Sequence, residues 1–590
     1  MWKPLTDRLI LGIRLPYYTY RTAHLILPKR YIHNVNKYTN RTHCCGQLSV
    51  GDVGKRVNLF GWIQYTRFDN KIIALRDSYG VTQCVIRQSD LRKKLKLNNE
   101  SVISVRGTVR ERPSDQVNLS LSTGEVEVQV EDIEVLSNAD KNLPFLARGD
   151  CANISATNKL KYRHLFLRTA GAQKTLRFRS NLCRALREVL IDLDFVECET
   201  PTLFNRTPGG ANEFIVPTQT PGKFYSLPQS PQQLKQLLMI AGLDRYFQIC
   251  RCYRDETGRS DRQPEFTQLD IELSFTSKDL IMDLVEDVLC KALVQVFGKD
   301  NPVFSGGGRF GRITYQESFE KYGTDKPDTR FDWVIQQKDD GLYIDVPYLL
   351  SDEELYLRIL SDLNFTTSQS EQVKFHRFPE PRIRFYTDDN SESSRKLLGV
   401  LRPTVAKYLE NRGEKVYEER FKFLWVVDFP LFTKDEEGNI EPNHHPFTAP
   451  TEATAHMLTD KPSEVIGQHY DLVLNGQEIG GGSVRIHDPK LQKQIFEDLL
   501  RVEEKAFSYF IEALKSGCPP HGGIALGLDR LVAILLGHES IREVIAFPKS
   551  TTGRDLLTDC PQELDESVKK LYHLGHSIDN NNDNNIDKGR

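Results

Sequence analysis

Arg254 ends a run of β-branched and aromatic residues that starts at Tyr246, and Gln268, Asp270 and Glu272 alternate along a second run, Phe266 to Leu273. Asp255 to Glu265 separates the two runs with Gly258, Pro264 and mixed charges, which predicts two strands joined by a hairpin loop. Residues two apart on a strand share a face, so an amide and two carboxylates line up beside the arginine. A guanidinium grips phosphate or carboxylate through paired N–H donors. The set suits a phosphate bound next to a charged small molecule. A surface hairpin laced with salt bridges has the same composition, and charge alone does not separate the two.

The residues around this pair carry more. Tyr253-Arg254-Asp255-Glu256, followed by Arg259, Gln263 and Glu265-Phe266, resembles motif 2 of the class II aminoacyl-tRNA synthetases. The preceding Gln229-Ser230-Pro231-Gln232-Gln233-Leu234-Lys235 resembles the amino-acid-binding segment of the aspartate, asparagine and lysine subgroup. Gly522 to Leu531 looks like motif 3, and Glu199-Thr200-Pro201-Thr202-Leu203, after a helical run, looks like motif 1. Three motifs in family order are far more specific than any one. The chain is most similar to the aspartyl-tRNA synthetases of the bacterial and mitochondrial type, from roughly Arg41 to Cys560.

That resemblance implies a multidomain α+β fold. An N-terminal OB-fold β-barrel precedes a class II antiparallel-sheet catalytic domain, which is interrupted by an α+β insertion. The expected divisions are a mitochondrial transit peptide over 1–43, the barrel over 44–137 and a hinge over 138–168. The catalytic domain follows over 169–298 and 421–560, with the insertion at 299–420 and a C-terminal extension at 561–590.

The implied reaction is ATP-dependent activation of L-aspartate to aspartyl-adenylate, then transfer to the 3′ end of tRNA(Asp). The implied catalytic residues are Arg254, Glu256 and Arg530. ATP is expected against Arg254, Asp255, Glu256, Gln263, Phe266, Glu478, Gly527, Leu528, Asp529 and Arg530. Aspartate is expected against Ser230, Gln232, Lys235, Arg254, Gln268, Asp270, His444, His445 and Arg485. Asp471 and Glu478 suit Mg²⁺ held with phosphate oxygens, although a pair of exposed strand acids would read the same. Lys235 and Arg485 offer donors and no acceptor, so they favour a carboxylate over an amide.

Composition is consistent with this. At 590 residues the chain holds several domains, and 39% hydrophobic with 27% charged residues is typical of soluble globular proteins. No apolar run approaches the ~18 residues that span a membrane. Eleven cysteines follow no disulfide framework, and Cys44-Cys45 and Cys250-x-Cys252 lack the partner pairs of a zinc site. Buried thiols or alternating strand residues are the expectation there. Met1 to His43 holds eight Lys or Arg against one acid, Asp7. Such a basic, acid-poor start reads as an organelle transit peptide, with a nucleic-acid-binding arm as the alternative. The implied address is the mitochondrial matrix. The remainder is acidic, so RNA must meet local basic patches. The Asn- and Asp-rich end, from His576, is expected to be disordered.

The elements that must hold these residues follow in order. Val57–Ile63, Ile72–Asp77, Val81–Ile86, Val102–Val109 and Val126–Val135 read as five short strands, the number of an OB-fold. By resemblance, Gln83 reads an anticodon base with Arg67 beside it, and Ile72 stands where the family usually stacks a Phe. The basic cluster Lys159 to Arg163 is expected to touch tRNA backbone or solvent. Thr175 to Phe195 reads as an amphipathic helix with Leu176, Leu182, Leu186, Val189, Leu190 and Leu193 on one side, which the resemblance places in a homodimer interface. In the glycine loop Thr207 to Glu213, Gly209 replaces a Glu that in relatives touches the substrate ammonium. Thr404 to Leu409 is expected to be helical just after Pro403. Two other classes of function remain: a tRNA-independent aspartate–ammonia ligase, against which the barrel argues, and a non-catalytic tRNA-binding paralogue, against which Arg254, Glu478 and Arg530 argue.

Overall fold

The computed structural model describes residues 36–89, 96–149, 153–207, 211–256, 258–298, 309–348, 363, 369, 372–379, 382–435 and 437–575. The expectations for the N-terminus up to residue 35, for Gly209 and for the tail from 576 lie outside them.

All five expected strands form: β1 (Arg56–Arg67), β2 (Ile72–Arg76), β3 (Val81–Val85), β4 (Val102–Glu111) and β5 (Val126–Ser137). They close into a barrel in the order β1-β2-β3-β5-β4. Alternation turns Leu59, Ile63, Ile73, Leu75, Cys84, Val105 and Val128 inward to fill it.

α1 (Ala170–Asp192) starts where the Thr169 side chain accepts from the Ala172 N–H. It begins earlier and ends sooner than expected, because Asp194 takes a left-handed φ of 65° and turns the chain out of the helix. Leu182, Leu186, Val189 and Leu190 are buried as predicted, while Leu176 and Leu193 are only half-buried. There follow β6 (Val196–Glu197), α2 (Gln232–Ile240), β7 (Arg245–Tyr253), β8 (Glu265–Ser274), α3 (Lys278–Phe297) and β9 (Gly311–Thr314).

The next segment makes its own sheet: β10 (Gln336–Lys338), β11 (Gly341–Val346), β12 (Lys374–Arg377) and β13 (Ile383–Thr387), in the order β10-β11-β13-β12. Trp333, Ile344 and Phe385 pack there against Leu398 and Val405 of α4 (Glu392–Asn411). The expected helix after Pro403 is the second half of α4, which runs straight through the proline. Proline inside a helix costs about 3 kcal/mol. Burial of Leu397, Leu398, Leu401, Val405 and Leu409, at about 1.5–3 kcal/mol each, more than offsets it.

β14 (Phe423–Val427), β15 (His469–Leu474), β16 (Gln477–Val484), β17 (His521–Gly527) and α5 (Leu528–Leu536) complete the large sheet. Its eight strands run β9-β14-β15-β16-β17-β8-β7-β6. Only the outermost pairs, β9 with β14 and β6 with β7, are parallel among these. α1 and α3 cover one face, packing Leu186 and Leu289 on Phe247, Ile271, Leu472 and Ile524. The other face carries the polar residues. No helix among the described residues is long and apolar enough to cross a membrane.

The barrel and the sheet are tied through the linker. Glu100 accepts from Arg76 Nη2 at 2.7 Å and from Arg168 Nη1 at 3.3 Å. Arg163 is not the solvated or RNA-facing residue expected. It is buried and donates to the carbonyls of Arg542, Ile545 and Ala546, which fixes the linker to the far end of the catalytic unit.

Candidate active site

On β8, Leu269 and Ile271 point into the helical layer, so Gln268, Asp270 and Glu272 face the opposite side. Asp270 and Glu272 are fully buried, and a buried charge without a partner costs several kcal/mol. α2 supplies the partner. Lys235 is 1% exposed, with its Nζ 3.0 Å from Asp270 Oδ1 and 3.3 Å from Glu272 Oε2. Arg485, just after β16, grips Glu272 from the other side, Nε to Oε1 at 2.9 Å and Nη2 to Oε2 at 3.1 Å. Its Nη1 donates to Ser483 Oγ at 2.7 Å and meets His445 Nε2. Two cations thus balance two carboxylates. Burial pushes the Glu272 carboxyl up, but Arg485 and Lys235 outweigh it and hold it below the ordinary carboxylate range. β17 passes opposite Glu272 at Gly523, where a Cβ would lie 2.2 Å from Glu272 Oε2. Glycine leaves the space that the network fills.

Glu272 had no assigned role in the sequence expectation, yet it binds both cations expected for substrate. Counting donors, Lys235 and Arg485 each retain one N–H beyond these contacts. His444 and His445 join the same floor. Desolvation of the inner ring edge first, then the neighbouring histidine (His469 on His444, His444 on His445), then the cations Arg485 and Lys235, push both imidazoles well below their ordinary value, so both are neutral, although His444 keeps an exposed edge and His445 is half-buried. Arg254 adds to this on His444, which places all three cations around one ring. His444 stacks on His469 at 4.2 Å, and His469 stacks on Phe429 at 4.2 Å. His469 was missed. Strand alternation around Tyr470, Leu472 and Leu474 could have found it on the polar face.

His469 Nε2 lies 2.8 Å from Asp471 Oδ1. Burial raises the Asp471 carboxyl, and the charge of Glu478 raises it further. Glu478 sits below the ordinary range because Lys326, from the start of the insertion, outweighs its burial with an ammonium 2.9 Å away. Two neighbouring carboxylates, one already holding a cation, form a hard oxygen donor set that fits Mg²⁺.

The loop after β7 is held differently. Arg254 N donates to Pro264 O at 2.9 Å, its guanidinium lies 5.2 Å from the Phe266 ring, and its Nε is buried without a hydrogen-bond partner. Glu256 pairs with Arg262 at 2.5 Å, and Arg530 bonds Asp261 at 3.3 Å and the Glu478 carbonyl, all on half-exposed or exposed groups. Asp255 is exposed.

Several expected ligands sit elsewhere or are already engaged. The Gln263 amide donates to Lys549 O at 3.1 Å and accepts from Lys549 N at 2.7 Å, so it secures the loop. Leu528 is in the core. Asp529 accepts from Thr267 N at 2.7 Å and Arg179 at 2.5 Å, which pins α5 to β8 and α1. Gly527 is the N-terminal flank of α5, with no side chain to offer, so within Gly527–Arg530 only Arg530 reaches the loop. Gln232 bonds Gln236 at 3.2 Å along α2, and Ser230 lies half-buried just ahead of it. Gln229, quoted for its motif but given no role, clamps the glycine loop by bonding both Ala211 backbone groups.

In the barrel, Gln83 on β3 donates to Glu127 Oε2 at 2.9 Å, and Arg67 stacks on Tyr65 at 4.8 Å. Phe68, in the β1–β2 turn with φ 51°, is 72% exposed. Ile72 pairs with Arg67 across the strands, and Tyr65, Ala74 and Gln83 lie in register.

Comparison with known proteins gives the family. Residues 155–551 match the family model for tRNA synthetases class II (D, K and N), and residues 57–136 match that for the OB-fold nucleic acid binding domain. The chain is 42% identical to the mitochondrial aspartate–tRNA ligase of Mus musculus, over 94% of this chain and 92% of that one. It is 39% identical to an aspartate–tRNA(Asp/Asn) ligase of Caldanaerobacter subterraneus, over 90% and 98%. In fold it resembles the asparaginyl-tRNA synthetase of Pyrococcus horikoshii solved with asparaginyl-adenylate, at a TM-score of 0.58 and 20% identity over 86% of this chain and 97% of that one. The chain belongs to the class II aminoacyl-tRNA synthetases of the aspartate, lysine and asparagine group.

Proposed function

We propose that the protein is the aspartate–tRNA ligase of the mitochondrial matrix, activating L-aspartate with ATP and charging tRNA(Asp). The observation that carries the reading is the floor Asp270–Lys235–Glu272–Arg485, buried, balanced, and left with one N–H on each cation. An aspartate side-chain carboxylate accepts both. Asparagine would turn an NH₂ toward one of them and leave a donor facing a donor, a mismatch worth about 10⁴–10⁵-fold where polar groups are buried. Ser230, Gln232, Gln268, Asp270, His444 and His445 surround this position, and Asp270 is the group that would meet the substrate ammonium.

In the first step a substrate carboxylate oxygen attacks the α-phosphorus, and the bond to pyrophosphate breaks. Arg254, with its buried unpartnered Nε, grips the α-phosphate and the attacking carboxylate. Phe266 offers a face to adenine. Glu256 and Arg530, held in pairs that water screens, exchange partners for the nucleotide. Asp471 and Glu478 would hold Mg²⁺, which neutralises phosphate charge. Asp255 and the Gly527–Asp529 backbone complete the ATP surround, and Gln263 acts by fixing the loop. In the second step the terminal ribose hydroxyl attacks the acyl carbon and AMP leaves. Little covalent work falls to the protein, so positioning and electrostatics dominate.

Gln83 and Arg67 would meet the anticodon. The exposed Phe68 and Tyr65 beside them offer the stacking that Ile72 does not. Ile191 at the end of α1 and Val196 on edge strand β6 are exposed apolar residues, which supports a homodimer through this face. The test is labelled-aspartate transfer to a mitochondrial tRNA pool, alongside aspartate-dependent pyrophosphate exchange. Both should be present. Exchange without transfer, or amide formation from ammonia, would overturn the reading.

A further inference from the structure

Cys250 and Cys252 are two apart on β7 and so share the polar face; on β8 Gln268 pairs with Cys250, and Asp270, which pairs with Gln248, lies diagonally across from Cys250 on the same face. Cys250 Sγ lies 3.8 Å from Cys252 Sγ and 3.2 Å from Asp270 Oδ2, and the three donor atoms all lie within 4.8 Å of one another. Two thiolates each about 2.3 Å from one tetrahedral zinc ion stand close to 3.8 Å apart. The sequence offered only the two thiols. The third ligand comes from the neighbouring strand, where no spacing rule would find it. Gln268 Oε1, 3.0 Å from Cys252 Sγ, stands beside the same sulfur.

Charge decides whether such a cluster can fill. As it stands, Lys235 and Arg485 balance Asp270 and Glu272, and the Cys250 thiol lies against Cys252 Sγ and Asp270 Oδ2. A divalent cation that displaces both thiol protons leaves the total unchanged. Asp270 also divides its oxygens: Oδ1 faces Lys235 and Oδ2 faces Cys250. The ion therefore enters without breaking the Lys235 contact. Mg²⁺, which demands hard oxygen ligands, does not fit two sulfurs, whereas Zn²⁺ and Cd²⁺ do.

We propose that Cys250, Cys252 and Asp270 form a binding site for a thiophilic divalent cation of the zinc class in the floor of the amino-acid pocket. A consequence, resting on the assignment of Asp270 to the substrate ammonium, is that the bound ion takes up Asp270 Oδ2, leaves that ammonium without a free acceptor there, and raises KM for aspartate.

The experiment is titration of the full chain with Cd²⁺ at saturating Mg²⁺, following the ultraviolet cadmium–thiolate band and the protons released. Wild type should show one equivalent whose band and two protons are lost in Cys250→Ala and again in Cys252→Ala. The two variants, each checked for native circular dichroism, guard against one failing to fold. An equal band in wild type and both folded variants means the ion sits on other thiols, and the site is overturned. In pyrophosphate exchange, Zn²⁺ added to fill the one-equivalent site should raise KM for aspartate at least tenfold in wild type and leave Cys250→Ala unaffected. Tight two-thiolate binding with unchanged KM would overturn the consequence, and with it the ammonium role of Asp270, while the metal site would stand.

Discussion

The two halves of the pocket use charge in opposite ways. On the aspartate side, Lys235, Asp270, Glu272 and Arg485 are all at most 1% exposed and every charge is countered. On the nucleotide side, Glu256–Arg262 and Arg530–Asp261 lie in reach of water. A buried network is costly to break and holds its geometry before substrate arrives. An exposed pair is worth about 0–1 kcal/mol and gives up its partner cheaply. The amino-acid side is thus a fixed template that discriminates, and the nucleotide side is a set of exchangeable contacts that a triphosphate reorganises.

The largest effect should come from breaking the template. Lys235→Leu strands Asp270 and half of Glu272, at about 3–5 kcal/mol of stability by denaturant unfolding. It should also abolish most aspartate activation and shrink the preference over asparagine. The double change Lys235→Leu with Asp270→Asn should recover part of the stability and none of the activity. A single variant as stable as wild type would mean the network is not a unit. Next, Arg254→Ala should cost about 3–4 kcal/mol in the pyrophosphate-exchange barrier, with stability nearly unchanged. A rate within a few-fold of wild type would remove Arg254 from the α-phosphate. The barrel comes third: Gln83→Ala or Phe68→Ala should raise KM for tRNA, by about 1–3 kcal/mol for the stacking ring, and leave exchange intact. Parallel loss of both activities would make the barrel a structural support.

The smallest effect sharpens the contrast. Arg262→Ala, on the exposed pair, should shift unfolding by no more than about 1 kcal/mol. Acid should act on the template instead. His444 and His445 bind protons more weakly when folded than unfolded, so stability is full above the unfolded value, about 6.5, and falls as pH drops below it. Stability that rises between pH 7 and pH 5 would contradict the neutral histidines.

Much of this was legible from the residues. Period-two alternation put Gln268, Asp270 and Glu272 on one face, and turn residues marked all five barrel strands. Both follow from local geometry. What sequence could not give is partnership at a distance. Lys235 and Arg485 read as substrate cations, but nothing in the spacing says that Glu272 sits between them. Gln263 was matched to ATP, because its true partner is the backbone of Lys549. Pro403 read as a helix start, since its local cost is visible and the core that offsets it is not. Asp529 looked like a ligand beside Arg530, although it faces Thr267 on the strand next door.

The bond between Gln263 and Lys549 reaches across almost half the chain, and it has company. Arg542 donates to Arg259 O at 2.9 Å and to Lys549 O at 3.1 Å. A Cβ on Gly258 would strike Thr551 O at 2.6 Å, so the loop threads tightly against that segment. The nucleotide loop is therefore among the first parts of the catalytic unit to leave the ribosome and among the last to be fastened. A nascent chain stopped before residue 549 already contains every residue of the aspartate floor, yet its ATP loop lacks the Lys549 backbone that holds Gln263 and the Thr551 wall against Gly258. Synthesis itself would then act as a timer, withholding adenylate formation until the polypeptide is nearly finished.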